Sequence, residues 1–152
     1  MIGVELMQIL TGVLGTLGFA ILFNIKGKRL VMAAFGGFLS WSLFLLLGQV
    51  IMSEPARYFI VSMVTSIYAE IIARVLKTPT TTIQMTALVP LIPGASLYYT
   101  MAYALESNIE RFIEKAVYTL QLAAALALGI VVTTMVVTIM NKVKQEAKDG
   151  NN

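Results

Sequence analysis

The sequence predicts an all-α, polytopic membrane protein of about five transmembrane helices, the fourth of which is broken by prolines. Hydrophobic residues make up 58% of the 152 residues, and charged residues only 12%. The apolar residues fall into runs of the length needed to cross a bilayer, about 20 residues each, separated by short polar turns. We expect residues 1–140 to form a single transmembrane domain and residues 141–152 a polar cytoplasmic tail.

Composition also argues against several functional classes. The sequence has no cysteine and no histidine. Disulfides, thiolate catalysis and the usual zinc sites are therefore not expected, and we predict no metal and no cofactor. The net charge of +3 comes from basic residues placed between apolar runs rather than in a patch. Nucleic acid is therefore not an expected partner, whereas membrane lipid is.

The first two predicted spans, residues 6–23 and 30–52, carry stripes of small residues. Glycines recur every third residue in the first span, and the second contains Ala33, Gly37 and Ser40. Small residues allow neighbouring helices to approach closely, so both stripes are interpreted as packing faces.

The third predicted span, residues 56–76, contains two ionisable residues. Glu70 and Arg74 are four residues apart and therefore share one face of a helix. Ionisable groups at membrane depth are functional candidates, and Glu70 is the candidate for coupling transport to protons. The alternative is a structural ion pair near the membrane surface, with Arg74 extending towards water.

The fourth apolar run, residues 83–105, contains the sequence Pro-Leu-Ile-Pro-Gly-Ala-Ser-Leu-Tyr-Tyr. Pro90 and Pro93 remove two backbone donors and disturb the preceding turn of helix. One interpretation is a kink that only shapes the helix. The other is a discontinuous helix whose second half begins with the free amides of Gly94, Ala95 and Ser96, an arrangement with which transporters bind carboxylates.

Two tyrosines follow the break and are assigned to the same candidate substrate site. Tyr98 and Tyr99 lie within two turns of Pro93, and Tyr99 shares a helix face with Ser96. Their hydroxyls could line a cavity, or the rings could belong to an aromatic belt at the membrane surface. No catalytic residue is predicted, because Glu70 lacks a second carboxylate or a metal-ligand set; the chain is not expected to be an enzyme.

The last helix is expected to begin near Asn108 and to cross the membrane over residues 116–140. With five spans, eight basic residues lie on one side of the membrane and three on the other. The excess of positive charge places the N-terminus outside and the C-terminus in the cytoplasm. If residues 83–105 were instead a re-entrant hairpin, the lysine-bearing tail would lie outside, so five spans are preferred.

The residues from Pro90 to Tyr99, together with Gly36-Gly37, Trp41 and the Lys-Thr-Pro-Thr loop, resemble the threonine/serine exporter family. The resemblance covers essentially the whole chain and is greatest to the small, membrane-only unit of that family. It implies a chain that works with a larger subunit of the same family, as a homo- or hetero-oligomer. It also implies export of threonine or serine, or of succinate as in some split members.

The leading functional hypothesis is therefore a subunit of a secondary exporter for small carboxylate-bearing solutes in the inner membrane. The alternatives are a non-transporting scaffold or assembly subunit and a channel. The small-residue stripes would serve a scaffold equally well.

Overall fold

The computed structural model describes residues 2–149, which form helices joined by short turns. A 3-10 turn, Val89–Leu91, lies between the fourth and fifth helices. The α-helices in chain order are α1 Ile2–Leu22, α2 Lys28–Gly48, α3 Glu54–Leu76, α4 Thr80–Ala87, α5 Gly94–Leu105 and α6 Ile109–Asp149.

The protein is an all-α, polytopic membrane protein, as predicted. Helices α1, α2, α3 and α6 are each long and apolar enough to cross a membrane. Helices α4 and α5 meet the same test only as a pair, which bends by 45° at the break. A re-entrant hairpin would reverse the chain by far more than this angle. The geometry therefore supports a broken fourth span.

The main hydrophobic core lies directly beneath the break. Leu88 and Leu91, on either side of Pro90, are buried together with Phe44, Tyr58 and Leu122. Phe44, Tyr58 and Leu122 come from α2, α3 and α6, so three helices pack against the broken segment. The break therefore lies against protein, as an interrupted backbone at membrane depth requires.

Close helix contacts occur at particular glycines. A Cβ added at Gly36 would lie 2.6 Å from the Cβ of Ala87, and a Cβ at Gly129 would lie 2.6 Å from the carbonyl oxygen of Phe59. These positions allow α4 to approach α2 and α6 to approach α3. The predicted stripe on α1 is only partly used within the chain, because Gly15 and Gly18 have no atom within 4 Å of an added Cβ.

One hydrogen bond satisfies the carbonyl group that the break leaves free. In a continuous helix the amide of Leu91 would donate to Ala87, but here it donates to the carbonyl of Leu88 at 2.9 Å. The Ser40 hydroxyl on α2 donates to the Ala87 carbonyl at 2.8 Å, and it also lies 3.0 Å from the Gly37 carbonyl. Buried carbonyls need such partners, so Ser40 stabilises the discontinuous form of the span.

Helix α6 extends well beyond its apolar segment. It begins at Ile109, as expected from the sequence, and continues to Asp149 through most of the range predicted as a polar tail. Residues 150–152, at the end of that predicted tail, lie outside the described residues.

We predict that Ser40→Ala destabilises the fold by about 1–3 kcal/mol, because it leaves the Ala87 carbonyl without a partner in a buried position. Ser42→Ala is the matched control. The Ser42 hydroxyl is also buried on α2, but it has no hydrogen-bond partner among the described residues. Its removal should be neutral or slightly stabilising. Apparent melting temperatures of the two variants in detergent check this; equal effects would contradict the assigned role of Ser40.

Candidate functional site

The candidate site is built around the start of α5. Pro93 precedes the helix and accepts its first backbone hydrogen bond, from the amide of Leu97, at 3.0 Å. The amide of Gly94 is already used, because it donates to the Ile92 carbonyl at 2.6 Å. The amides of Ala95 and Ser96 have no acceptor among the described residues. Two of the three amides predicted to be free therefore remain available to a ligand.

A cleft of about 780 Å³ opens beside these amides. It lies between the first turns of α5, the start of α3 and the early turns of α6. Its lining combines backbone and hydroxyl groups with three charged side chains. The lining residues are Glu54, Ala95, Ser96, Tyr99, Ile113, Glu114, Lys115, Val117, Tyr118 and Gln121.

Helix α6 positions the polar wall of this cleft. The Tyr118 hydroxyl donates a hydrogen bond to the carboxylate of Glu54, which joins α6 to the start of α3. The ammonium of Lys115 lies 5.8 Å from the centre of the Tyr118 ring. The Thr100 and Thr119 hydroxyls are 3.3 Å apart and connect α5 to α6 one turn further along. A carboxylate, that of Glu54, and a cation, that of Lys115, therefore both lie next to Tyr118 in the cleft.

The structure brings three of the seven predicted substrate residues into the cleft: Ala95, Ser96 and Tyr99. The other four lie outside its lining. Pro90 packs towards α1. A Cβ added at Gly12 on that helix would lie 3.7 Å from the Cβ of Pro90. A Cβ added at Gly94 would meet no atom within 4 Å, so the neighbourhood of Gly94 is open.

Pro93 and Tyr98 complete the set outside the cleft. Pro93 caps α5 from its N-terminal side. The Tyr98 side chain is 68% exposed, and its ring packs edge-on against that of Tyr99 with the centres 5.5 Å apart. The two neighbouring tyrosines therefore have different environments, and only Tyr99 reaches the cleft.

Sequence reasoning missed the residues that α3 and α6 contribute. Glu54 and Lys115 both line the cleft, and neither is among the site residues predicted from the sequence. Lys115 and Tyr118 are three residues apart, and Gln121 follows one turn later inside an apolar run. That spacing is the one available sequence signal for a polar wall. Their meeting with Glu54 depends on tertiary packing.

Glu70 and Arg74 lie at the other end of α3. Sixteen residues separate Glu54 from Glu70, which corresponds to roughly 24 Å of helix. The Glu70 carboxylate lies 3.6 Å from the Arg74 guanidinium and accepts a hydrogen bond of 3.1 Å from the Thr80 hydroxyl. Arg74 also donates to the Asn141 side chain at 3.1 Å. This network joins α3, α4 and α6, as a structural ion pair would.

An apolar pocket of about 330 Å³ lies beside the pair, between α3 and α6. Apart from Glu70 and Arg74 its polar lining comes from Thr133 and Asn141, and the remaining walls are aliphatic or methionine side chains. The pocket is separate from the cleft at the start of α5.

Comparison with known protein families identifies a match for most of the chain. The family model described as "Threonine/Serine exporter, ThrE" matches residues 8–136, a range that contains the whole cleft. No curated protein and no solved structure matches the chain significantly.

We predict that Glu70→Gln and Arg74→Gln destabilise the fold to a similar, small extent, and that the double variant is less destabilised than the sum of the two. The expected interaction energy is up to about 1 kcal/mol, because the Arg74 side chain is 54% exposed. Melting temperatures of the three variants test this. If Glu70→Gln instead keeps full stability and abolishes the pH dependence of export, the coupling role is favoured.

Proposed function

The chain belongs to the threonine/serine exporter family, and on this premise we propose that it is a subunit of a secondary exporter for a small carboxylate-bearing solute. The solute is an amino acid of the threonine or serine type, or a dicarboxylate such as succinate. It binds in the cleft at the start of α5. We place the protein in the cytoplasmic membrane, with the N-terminus outside and the tail from residue 141 in the cytoplasm.

The observation that carries this proposal is the pair of unpaired amides at Ala95 and Ser96. They lie at the N-terminal end of α5, where the aligned peptide dipoles give partial positive charge. Ala95 and Ser96 also line an open cleft large enough for a small metabolite. A carboxylate placed there accepts both N–H groups, and Lys115 adds a full positive charge nearby.

The remaining predicted residues take different roles in this proposal. Pro90, Pro93 and Gly94 maintain the break that exposes the amides, and Tyr99 forms the wall of the cleft. Tyr98 supports the Tyr99 ring from outside.

Glu70 and Arg74 act as a structural pair in this proposal. Their separation from the cleft along α3 and their contacts with Thr80 and Asn141 support that assignment over proton coupling.

We further propose that the chain works with a larger subunit of the same family, in a homo- or hetero-oligomer. Helix α5 has no buried residue, although it carries the site. Gly15 and Gly18 form an open strip on α1 that allows close approach of another helix. The same strip supports the second candidate function, a scaffold that transports nothing itself.

The transport proposal predicts that Ala95→Leu reduces export by roughly tenfold or more, because the larger side chain fills the cleft beside the amides. Ala104→Leu is the control: it adds the same volume to an exposed position on α5 outside the cleft. Efflux of labelled threonine, serine and succinate is measured, and assembly is checked by size-exclusion chromatography. Normal export by a correctly assembled Ala95→Leu variant would favour the scaffold.

The proposed orientation is tested by labelling of single cysteines, since the chain has none of its own. An impermeant thiol reagent should label Ser53→Cys and Ser107→Cys in intact cells and spare Lys26→Cys. These positions lie in turns between helices, so a small side chain is tolerated there. Labelling of Lys26→Cys without labelling of Ser53→Cys would reverse the orientation.

A further inference from the structure

We propose that Glu54, held in position by Tyr118, binds a cationic group of the solute and so selects solutes that carry an ammonium beside their carboxylate. This inference rests on the proposed function, because it assigns a second specificity-determining contact within the same cleft. It concerns a residue at the start of α3, on a different helix from the amides that receive the carboxylate.

The geometry leaves half of the Glu54 carboxylate free. Tyr118 donates to its Oε2 atom, and Oε1 accepts no hydrogen bond from the described residues. Glu54 is half-buried and lines the cleft. The bond from Tyr118 orients the carboxylate, and the second oxygen remains available to an N–H donor from a ligand.

The nearest basic residue along α3, Arg57, forms no ion pair with Glu54. The Arg57 guanidinium stacks over the Phe44 ring, 4.7 Å from its centre. A Cβ added at Gly48 would lie 2.7 Å from Arg57 Nη1, so the guanidinium is directed towards the end of α2. Within the part of the chain that the structure describes, Glu54 takes part in no ion pair. The Glu54 carboxylate therefore has no direct ion-pair partner in that part of the chain, although the Lys115 ammonium lines the same cleft.

The charge balance of the cleft favours a zwitterion. Its charged side chains are the carboxylates of Glu54 and Glu114 and the ammonium of Lys115; Tyr99 and Tyr118 contribute neutral phenols. An amino acid would place its carboxylate at the amides of Ala95 and Ser96 and its ammonium at Glu54. A dicarboxylate would bring a second negative charge into a cleft that already has an excess of carboxylates, and like charges repel.

A purely structural role for Glu54 is the competing explanation. An acidic residue in the first turn interacts favourably with the helix dipole, and Glu54 is the first residue of α3. That role would affect stability and all ligands alike. A test must therefore compare two ligands that differ only in the ammonium group.

The experiment measures binding of L-threonine and of 3-hydroxybutyrate, which is threonine without its amino group, by isothermal titration calorimetry. The full chain is used in the assembly in which it purifies from the membrane. Wild-type protein should bind threonine more tightly. Glu54→Gln should weaken threonine binding about tenfold or more while leaving 3-hydroxybutyrate within about twofold, since a charge-assisted hydrogen bond is lost for one ligand only.

Glu110→Gln is the matched control, because it removes the same charge from an exposed turn of α6 outside the cleft lining. It should leave the preference for threonine unchanged. Loss of that preference in Glu110→Gln, equal weakening of both ligands by Glu54→Gln, or no effect of Glu54→Gln would each overturn the inference.

Ala95→Leu separates this inference from the function on which it rests. If Ala95→Leu weakens both ligands but Glu54→Gln leaves the preference intact, the inference fails and the cleft remains the binding site. If Ala95→Leu changes neither affinity, or if the wild-type assembly binds neither ligand, the proposed function and the inference fail together.

Discussion

The hydrogen bond from Ser40 to the Ala87 carbonyl is the contact on which the discontinuous fourth span depends. Proline breaks the helix, but a break at membrane depth persists only if its free backbone groups find partners. Ser40 on α2 provides a donor for the Ala87 carbonyl. Within the 3-10 turn at Val89–Leu91, the Leu91 amide donates to the Leu88 carbonyl. With Leu88 and Leu91 buried in the core, the chain leaves the break in a new direction, and α5 begins beside α6. The cleft results from this change in the direction of the chain between α4 and α5.

The two halves of the broken span are held very differently. Helix α4 is packed tightly, because Gly36 allows Ala87 to approach α2 and Gln84 donates to Ser66 on α3 at 2.8 Å. Helix α5 packs mainly on α6 and has no buried residue. Elements with few buried contacts open at the lowest free-energy cost. The candidate site therefore lies between a well-packed core and a helix that has no buried residue of its own.

The polar groups of α3 divide between its two ends. At one end the Glu70 and Arg74 pair joins α3, α4 and α6, and its atoms satisfy one another. At the other end the Glu54 carboxylate is oriented by Tyr118 but keeps a free oxygen in an open cleft. The same type of carboxylate thus forms an ion pair at one end and only a hydrogen bond to a phenol at the other. Between these two ends, α3 is in close contact with α6 at Gly129.

The sequence alone determined the fold class and the break, because apolar runs of bilayer length and paired prolines act locally, whatever surrounds them. It also indicated the amides of Ala95 and Ser96 and the face shared by Ser96 and Tyr99. It could not show that the Gly94 amide donates to Ile92, because that bond depends on the backbone torsions at the break. It also could not separate Tyr98 from Tyr99, because their environments depend on the angle at which α5 leaves the break. Tertiary structure alone brought Glu54 to Tyr118, since residues 64 positions apart meet only when α3 and α6 pack together.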